Sequence, residues 1–550
     1  MKTTVREAIA DIIRLEGVDY VFGHTGGHIM LLWDAIDKAG IKTVFNKQEG
    51  NATYMADGYS KLSGKPVVVL GTSGPGIQNT VTGIASAYVD SVPIIAIGAG
   101  VSTTVGGMNA LQESSGRGRA TSQLDIFKGI TKQAVVAPSP AAVPRIIRES
   151  FRTALGGRPG PVFVEIPSDF WNVEIDYEQV DPSSYKNPNT PSCDSNDIDE
   201  IFKAFYEAEK PVILIGEGAI EKDISPKLMN FLNTVKVPFY VSPKGKDLVD
   251  EYDEYFVGAL RWHRGMPREY GYIKESDFIL SLGDRFGQWE FDWDYENIFT
   301  NARIAQVDPD YNEIGRVYSV DYSAVGCISS FMNGYGDKLN EHKNSAAFKE
   351  EAKKYNYKLI RPRRYPDRDG INPLNVNNIT EELMPKEAVV VADTAFAGSM
   401  AINKFRTNMN QRFVVSDNNS PMGYSLPAAI GAAFYTDLPV VCFIGDGSFQ
   451  MTFNEFGTIL NYKKKVIYVL ENNGGCMSIN MYLNGIVGGS NPKITKFDNP
   501  DFAEIAKSYG MKGVTVKTSE EFGKAFKEAL EIDKSTVINA IINQELMEWE

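Results

Sequence analysis

Histidine is scarce in this 550-residue sequence: His24, His28, His263 and His342 are the only four, too few and too scattered for a His-rich metal centre. Cysteine is equally sparse. Cys193, Cys327, Cys442 and Cys476 form no CxxC pair, which argues against a disulfide frame or a structural zinc site. No apolar run approaches the roughly 20 residues needed to cross a bilayer. The opening "MKTTVREAIADIIRLEGV" carries charges throughout and predicts an amphipathic helix rather than a signal peptide. Positive charge is also in deficit: 56 Lys and Arg against 70 Asp and Glu leave a formal charge of −14. That balance argues against nucleic acid or an anionic membrane as the main partner. The expectation is a cytoplasmic protein that acts on a small molecule.

What is present is ordinary for a globular chain, 43% hydrophobic and 23% charged, but the length exceeds what one core can organise. Short, doubly apolar runs ("VDYVFG", "IKTVFN", "PVVVLGT", "PIIAIGAG", "PVFVEIP") alternate with helical periods up to about residue 185. This is the pattern of a parallel α/β sheet. A Pro/Ser/Asn-rich stretch, 181–197, reads as a linker. A second set follows ("KPVILIGEGA", "VPFYVS", "SDFILSLGDRF", "ARIAQVDPD"), then a charged connection, 343–370. A third set carries "KEAVVVADT", "QRFVVSD", "LPVVCFIGDG", "KKVIYVLENN" and "STVINAII". Three α/β domains are expected, at 1–185, 192–342 and 371–550.

Chemistry is most legible in the third. In open α/β sheets ligands bind beyond the carboxyl ends of strands, and "VVCFIGDG" and "VIYVLENN" are two such ends. Asp446 and Asn473 lie 27 positions apart, which suits strand–helix–strand with the helix in "TFNEFGTILNY". A right-handed crossover would return both oxygen ligands to one sheet edge. Carboxylate plus amide oxygen is a hard donor pair suited to Mg²⁺ shared with phosphate and water. Gly445 and Gly447 let backbone approach a phosphate, and the following helix N-terminus adds partial positive charge.

GDG followed by NN at this distance resembles the thiamine diphosphate motif, and the resemblance extends over essentially the whole chain, closest to the acetolactate synthase-like family. It implies a pyrimidine-binding, a middle and a diphosphate-binding domain, with thiamine diphosphate and Mg²⁺ as cofactors. Asp446, Asn473 and the Gly475 carbonyl would hold the metal, beside Gly445, Gly447 and Ser448. In "KQEGNATYMADGY", Glu49 matches the glutamate that touches the aminopyrimidine ring. A carboxyl bonded to N1′ favours the 4′-imino tautomer, whose nitrogen takes the thiamine C2 proton. Pro75 in "GTSGPGIQN" and nearby Asn79 resemble the pyrimidine loop, and Gly26 belongs to "HTGG", where relatives carry Pro-Gly-Gly. In "SPMGYSLPAAIGAA", Met422 is the expected apolar wedge and the Ser420 carbonyl the acceptor for the 4′-amino group. Glu49 and Asp446 would serve one cofactor from different subunits, so a homodimer or homotetramer is implied.

The reaction class implied is lyase or carboligase chemistry on a 2-oxo acid or 2-hydroxy ketone. A 2-hydroxyacyl-CoA lyase or oxalyl-CoA decarboxylase-like enzyme, an FAD-containing oxidase-type relative and a non-catalytic homologue are the alternatives. Departures from the family pattern concern the substrate. His-Glu is replaced by Gln48-Glu49, the phosphate-side "GQH" by Ala395-Phe396-Ala397, and Trp289 stands where an arginine would bind the acceptor's carboxylate. Loss of that arginine argues against a second pyruvate as acceptor. Gln112 and Lys132 match, with "SSGRGRATSQ" inserted after Gln112-Glu113. Arg158 and Asp308 match positions that contact FAD or ADP in relatives, although a turn cap and a strand end would explain them equally.

Overall fold

The computed structural model describes residues 2–186, 191–221, 223–261, 270–291, 298–356, 363–489 and 491–543. His263 and parts of the expected linker and charged connection (187–190 and 357–362) lie outside the described residues.

Three six-stranded sheets, parallel throughout, carry the molecule. The first runs from Tyr20–Gly23 to Val162–Pro167 and the third from Ala388–Ala392 to Thr536–Ile541. Numbering the strands within each sheet along the chain, both have the spatial order 2-1-3-4-6-5. The middle sheet, Pro211–Ile215 to Tyr322–Val325, has the order 3-2-1-4-5-6. The central strands are apolar on both faces because helices cover both sides: Val67–Gly71, Ile94–Gly100 and Ala388–Ala392 are buried at every residue. A short antiparallel pair, Lys2–Thr4 with Glu174–Asp176, closes the first domain.

The expected linker is shorter than read from composition. Pro182–Ser184 forms one 3₁₀ turn and Ser195–Glu207 is already helix, started by Asp194, whose side chain accepts from the Asn196 N–H. The helix expected in "TFNEFGTILNY" is also different. It starts at Asp446 itself and runs to Thr452, breaks in a 3₁₀ turn at Phe453–Glu455, and resumes at Phe456–Tyr462.

The first and third domains meet across two helices, Glu49–Ser63 and Ser425–Tyr435. Reciprocal glycines permit the close crossing. A Cβ on Gly58 would overlap the Ala428 carbonyl, and one on Gly431 the Met55 carbonyl. Between them Tyr424 donates its hydroxyl to Asp57, and Lys61 bridges Asp57 at 2.8 Å and Asp90 at 3.0 Å. The sequence around these helices therefore sets where Glu49 and Met422 stand.

Candidate active site

The expected metal-loop residues stand at neighbouring strand ends. Asp446 follows strand Val440–Gly445, and Asn473 follows strand Ile467–Asn472, its direct neighbour in the sheet. The Asp446 carboxylate is unevenly occupied. Its Oδ2 accepts from Gly474 N at 2.8 Å, Gly475 N at 3.2 Å and Asn499 Nδ2 at 2.6 Å, whereas Oδ1 accepts from Gly447 N at 3.0 Å. Oδ1 thus keeps lone-pair capacity. Burial pushes the Asp446 carboxyl upward, opposed by these N–H donors.

Asn473 Oδ1 is buried with no hydrogen-bond partner. A buried amide oxygen left unpaired costs about 1–3 kcal/mol, and a cation beside Asp446 would satisfy it. Among the described residues no cluster of three or more His, Cys, Asp or Glu exists. A cation here would rest on one carboxylate, an amide and phosphate oxygens, the donor set of a diphosphate-bound Mg²⁺. The residues fit the group.

The surrounding loop fits a diphosphate. A Cβ on Gly447 would lie 3.3 Å from the Met422 terminal methyl, so the expected wedge rests against the Gly-Asp-Gly turn. A Cβ on Gly445 would meet nothing within 4 Å. Ala395-Phe396-Ala397 open the helix Ala395–Lys404. Their side chains are apolar, yet a helix N-terminus offers backbone N–H groups to an anion. Ser448 is buried and bonded to Asp393. Gln112, Ala395 and Ser420 all have left-handed backbone (φ +58°, +56° and +47°), a sparsely populated state for non-glycine residues that clusters at functional sites.

On the pyrimidine side Glu49 is the first residue of its helix, with Gln48 as N-cap accepting from Asn51 N at 3.0 Å. Asn79 Nδ2 donates to Glu49 Oε2 at 3.0 Å. The Pro75 turn lies beside it: a Cβ on Gly76 would stand 3.7 Å from Glu49 Oε1. Gly74 has φ +67°, and its added Cβ would sit 2.9 Å from the Gln112 carbonyl, so Gln112 is held over this turn. Gly26 packs against Thr72, two residues before it. Lys132 is not brought to this group. Its ammonium donates to the carbonyls of Gly156 at 2.6 Å and Arg158 at 2.7 Å.

Trp289 is 42% exposed and meets Tyr482 of the helix Met477–Val487, which follows the metal loop. A guanidinium does reach Trp289, but from elsewhere in the chain. Arg261 lies 5.3 Å from the ring centroid and ion-pairs with Asp417, three residues before Ser420. Nothing in the local sequence around Trp289 signals this.

Several residues escaped the motif reading. Asn499 bonds both Asp446 and, at 2.8 Å, Asn472 Oδ1. Asp393, wholly buried and pushed upward by burial, accepts from Gly423 N at 3.2 Å and Ser425 N at 2.9 Å, shaping the wedge turn. Glu471 is buried beside the metal loop, neither oxygen bonded, and burial pushes it up to about 8. Glu455, from the 3₁₀ break, accepts from Lys47 N, Gln48 N and Asn51 Nδ2, all at 3.0 Å, and so anchors the start of the Glu49 helix. Its only sequence signal is an acid interrupting the apolar pattern after the Gly-Asp-Gly turn.

Two sheets of one topology, a carboxylate and an amide at neighbouring strand ends and an acid at a helix start are the arrangement of a thiamine diphosphate-binding protein, and the family matches show that class. Residues 3–118, 198–334 and 397–540 match the N-terminal TPP binding, central and C-terminal TPP binding domains of thiamine pyrophosphate enzymes. The acetolactate synthase large subunit of Haemophilus influenzae is 30% identical, over 98% of this chain and 94% of its own length. An acetolactate synthase of Arthrospira platensis is 31% identical (95% and 91%), and a probable acetolactate synthase large subunit of Methanococcus aeolicus 29% (98% and 92%). This chain belongs to the acetolactate synthase-like family of thiamine diphosphate-dependent enzymes. It is an enzyme with thiamine diphosphate-dependent carboligase chemistry, and the matches do not favour the acyl-CoA lyase, oxidase-type or non-catalytic readings.

Proposed function

We propose that this chain works as a homo-oligomeric, Mg²⁺- and thiamine diphosphate-dependent carboligase on a 2-oxo acid or 2-hydroxy ketone in the cytoplasm. The division at 1–185, 192–342 and 371–550 is adopted for it, with one six-stranded sheet falling inside each. The observation that carries the reading is the unpartnered Asn473 Oδ1 at the strand end next to that of Asp446, whose Oδ1 accepts a single N–H. Asp446, Asn473 and the Gly475 carbonyl would hold the cation. The N–H groups at Ala395–Ala397 and the Gly445–Ser448 turn would receive the diphosphate. When bound, thiamine diphosphate supplies a carbon nucleophile for a carbonyl group and a sink for the electrons of the broken C–C bond.

Glu49 would hold a proton at N1′ of the pyrimidine, with Asn79 fixing its carboxyl orientation. The Ser420 carbonyl would accept from the 4′-amino group, and Met422 would bend the cofactor across the Gly447 turn. Oligomerisation is supported by large apolar side chains left exposed in two segments flanking these residues: Met108 and Leu111, and Ile479, Ile486 and Ile494. No helix among the described residues is long and apolar enough to cross a membrane. The test is a panel of 2-oxo acids and aldehydes with CO₂ release and product mass recorded, alongside Glu49→Gln. That variant should retain cofactor and lose most turnover; unchanged turnover would refute the proton role.

A further inference from the structure

The middle sheet has the strand order of dinucleotide-binding folds, in which ligands sit where the order reverses, beyond strands one and four. Here those strand ends are Ile215 and Leu282, followed by Gly216-Glu217-Gly218 and Gly283-Asp284-Arg285. The crevice is closed by the chain itself. Gly218 N donates to the Gly283 carbonyl at 2.9 Å, and a Cβ on Gly218 would stand 2.8 Å from Gly283 Cα. Backbone therefore fills the approach that a glycine loop otherwise leaves to a diphosphate.

The charges are also spoken for. The Glu217 carboxylate, 7% exposed, gathers Arg158 at 3.3 Å, Arg285 and Lys244. Arg158, from the first domain, spends its remaining N–H groups on Asp308 at 3.4 Å, Asp310 at 3.2 Å and Ser91 Oγ at 3.1 Å. Arg285 donates to the Val89 carbonyl at 2.7 Å, and Lys244 bridges Asp90 at 3.3 Å and Asn418 Oδ1 at 2.9 Å. Asp308 has one unbonded oxygen, but the residue is wholly buried beneath Gly218, out of reach of a ribose. An incoming diphosphate would have to displace Glu217 while facing Asp308 and Asp310.

We propose that Glu217 occupies the place of a diphosphate at this switch point, so that the crevice is an internal ion joint fastening the middle domain to the pyrimidine-binding domain and takes neither FAD nor ADP. The residues Arg158 and Asp308 serve each other rather than a nucleotide. The experiment uses the full-length protein with thiamine diphosphate and Mg²⁺ saturating. Nucleotide released by acid is measured by chromatography, absorbance is scanned for flavin, and FAD and ADP are titrated calorimetrically. Substoichiometric nucleotide and no saturable binding are expected; stoichiometric FAD or ADP, carried or titrated, overturns the proposal. In parallel, Glu217→Gln leaves the buried Lys244 and the partly buried Arg158 and Arg285 facing a neutral amide and should lower the thermal midpoint. An unchanged midpoint would overturn the joint, independently of any change in carboligase activity.

Discussion

Replacing Glu455 tests whether the diphosphate-binding domain positions the acid of the pyrimidine-binding domain. Glu455 is wholly buried and gathers the N–H groups of Lys47 and Gln48, the Asn51 amide and, at 2.6 Å, the Thr458 hydroxyl. Glu455→Ala strands three N–H donors, the buried Asn51 amide and the part-buried Lys47 and Gln48 N–H groups, each worth about 1–3 kcal/mol when fully buried and unsatisfied. Relief of a buried charge offsets part of that sum, leaving a destabilisation of about 3 kcal/mol. Glu455→Gln keeps an acceptor for those donors while its new amide can donate to Thr458, so about 1 kcal/mol is expected, the difference between charged and neutral acceptors. The catalytic consequence is comparable in size, because Glu49 follows Gln48 directly and a displacement near 1 Å can cost about 100-fold in rate, or about 2.7 kcal/mol. Urea denaturation at one protein concentration and turnover under saturating cofactor give both readouts. An alanine variant as stable and active as the parent, or a glutamine variant as damaged as the alanine one, would refute the reasoning.

Asp446→Ala should abolish Mg²⁺-dependent thiamine diphosphate binding in a fluorescence titration, and normal binding would remove the metal assignment. Glu165 lies within the strand Val162–Pro167, opposite Gly98, and burial pushes its carboxyl up to about 7, Gln123 opposing. Because the folded value lies above the unfolded one, its contribution is full below about pH 4.5 and is lost as pH rises through 7, a loss of about 3 kcal/mol. Glu165→Gln should therefore stabilise the protein at pH 8 relative to the parent and leave it nearly unchanged at pH 4, read from denaturation midpoints. Gly431→Ala forces a methyl onto the Met55 carbonyl at the helix crossing and should destabilise by about 3 kcal/mol; an unshifted melting temperature would show that the crossing yields.

Three sheets were legible in sequence because their central strands are buried on both faces and read as continuous apolar runs. Four strands of the six-stranded sheets were not: Gln133–Val136, Phe256–Ala259, Tyr322–Val325 and Lys512–Val516. All four lie at sheet edges, where one side of the strand has no partner and the pattern is short or broken. The start of the helix at Asp446 was missed for a different reason. A glycine-flanked acid looks like a turn, whereas tertiary contacts with Asn499, Gly474 and Gly475 hold it as helix.

By itself the sequence determined the cofactor class, because the Gly-Asp-Gly and Asn-Asn pieces stand at the spacing of the thiamine diphosphate motif they resemble, and that spacing is local. Asp446, Asn473 and Glu49 could be proposed without coordinates. Only the tertiary structure decided how distant groups use one another. Arg261 reaches Trp289, Glu455 anchors the Glu49 helix, and Arg158 closes on Glu217 and Asp308. Side-chain charge pairing has no sequence period, so these partners emerge only where folding removes the water between them.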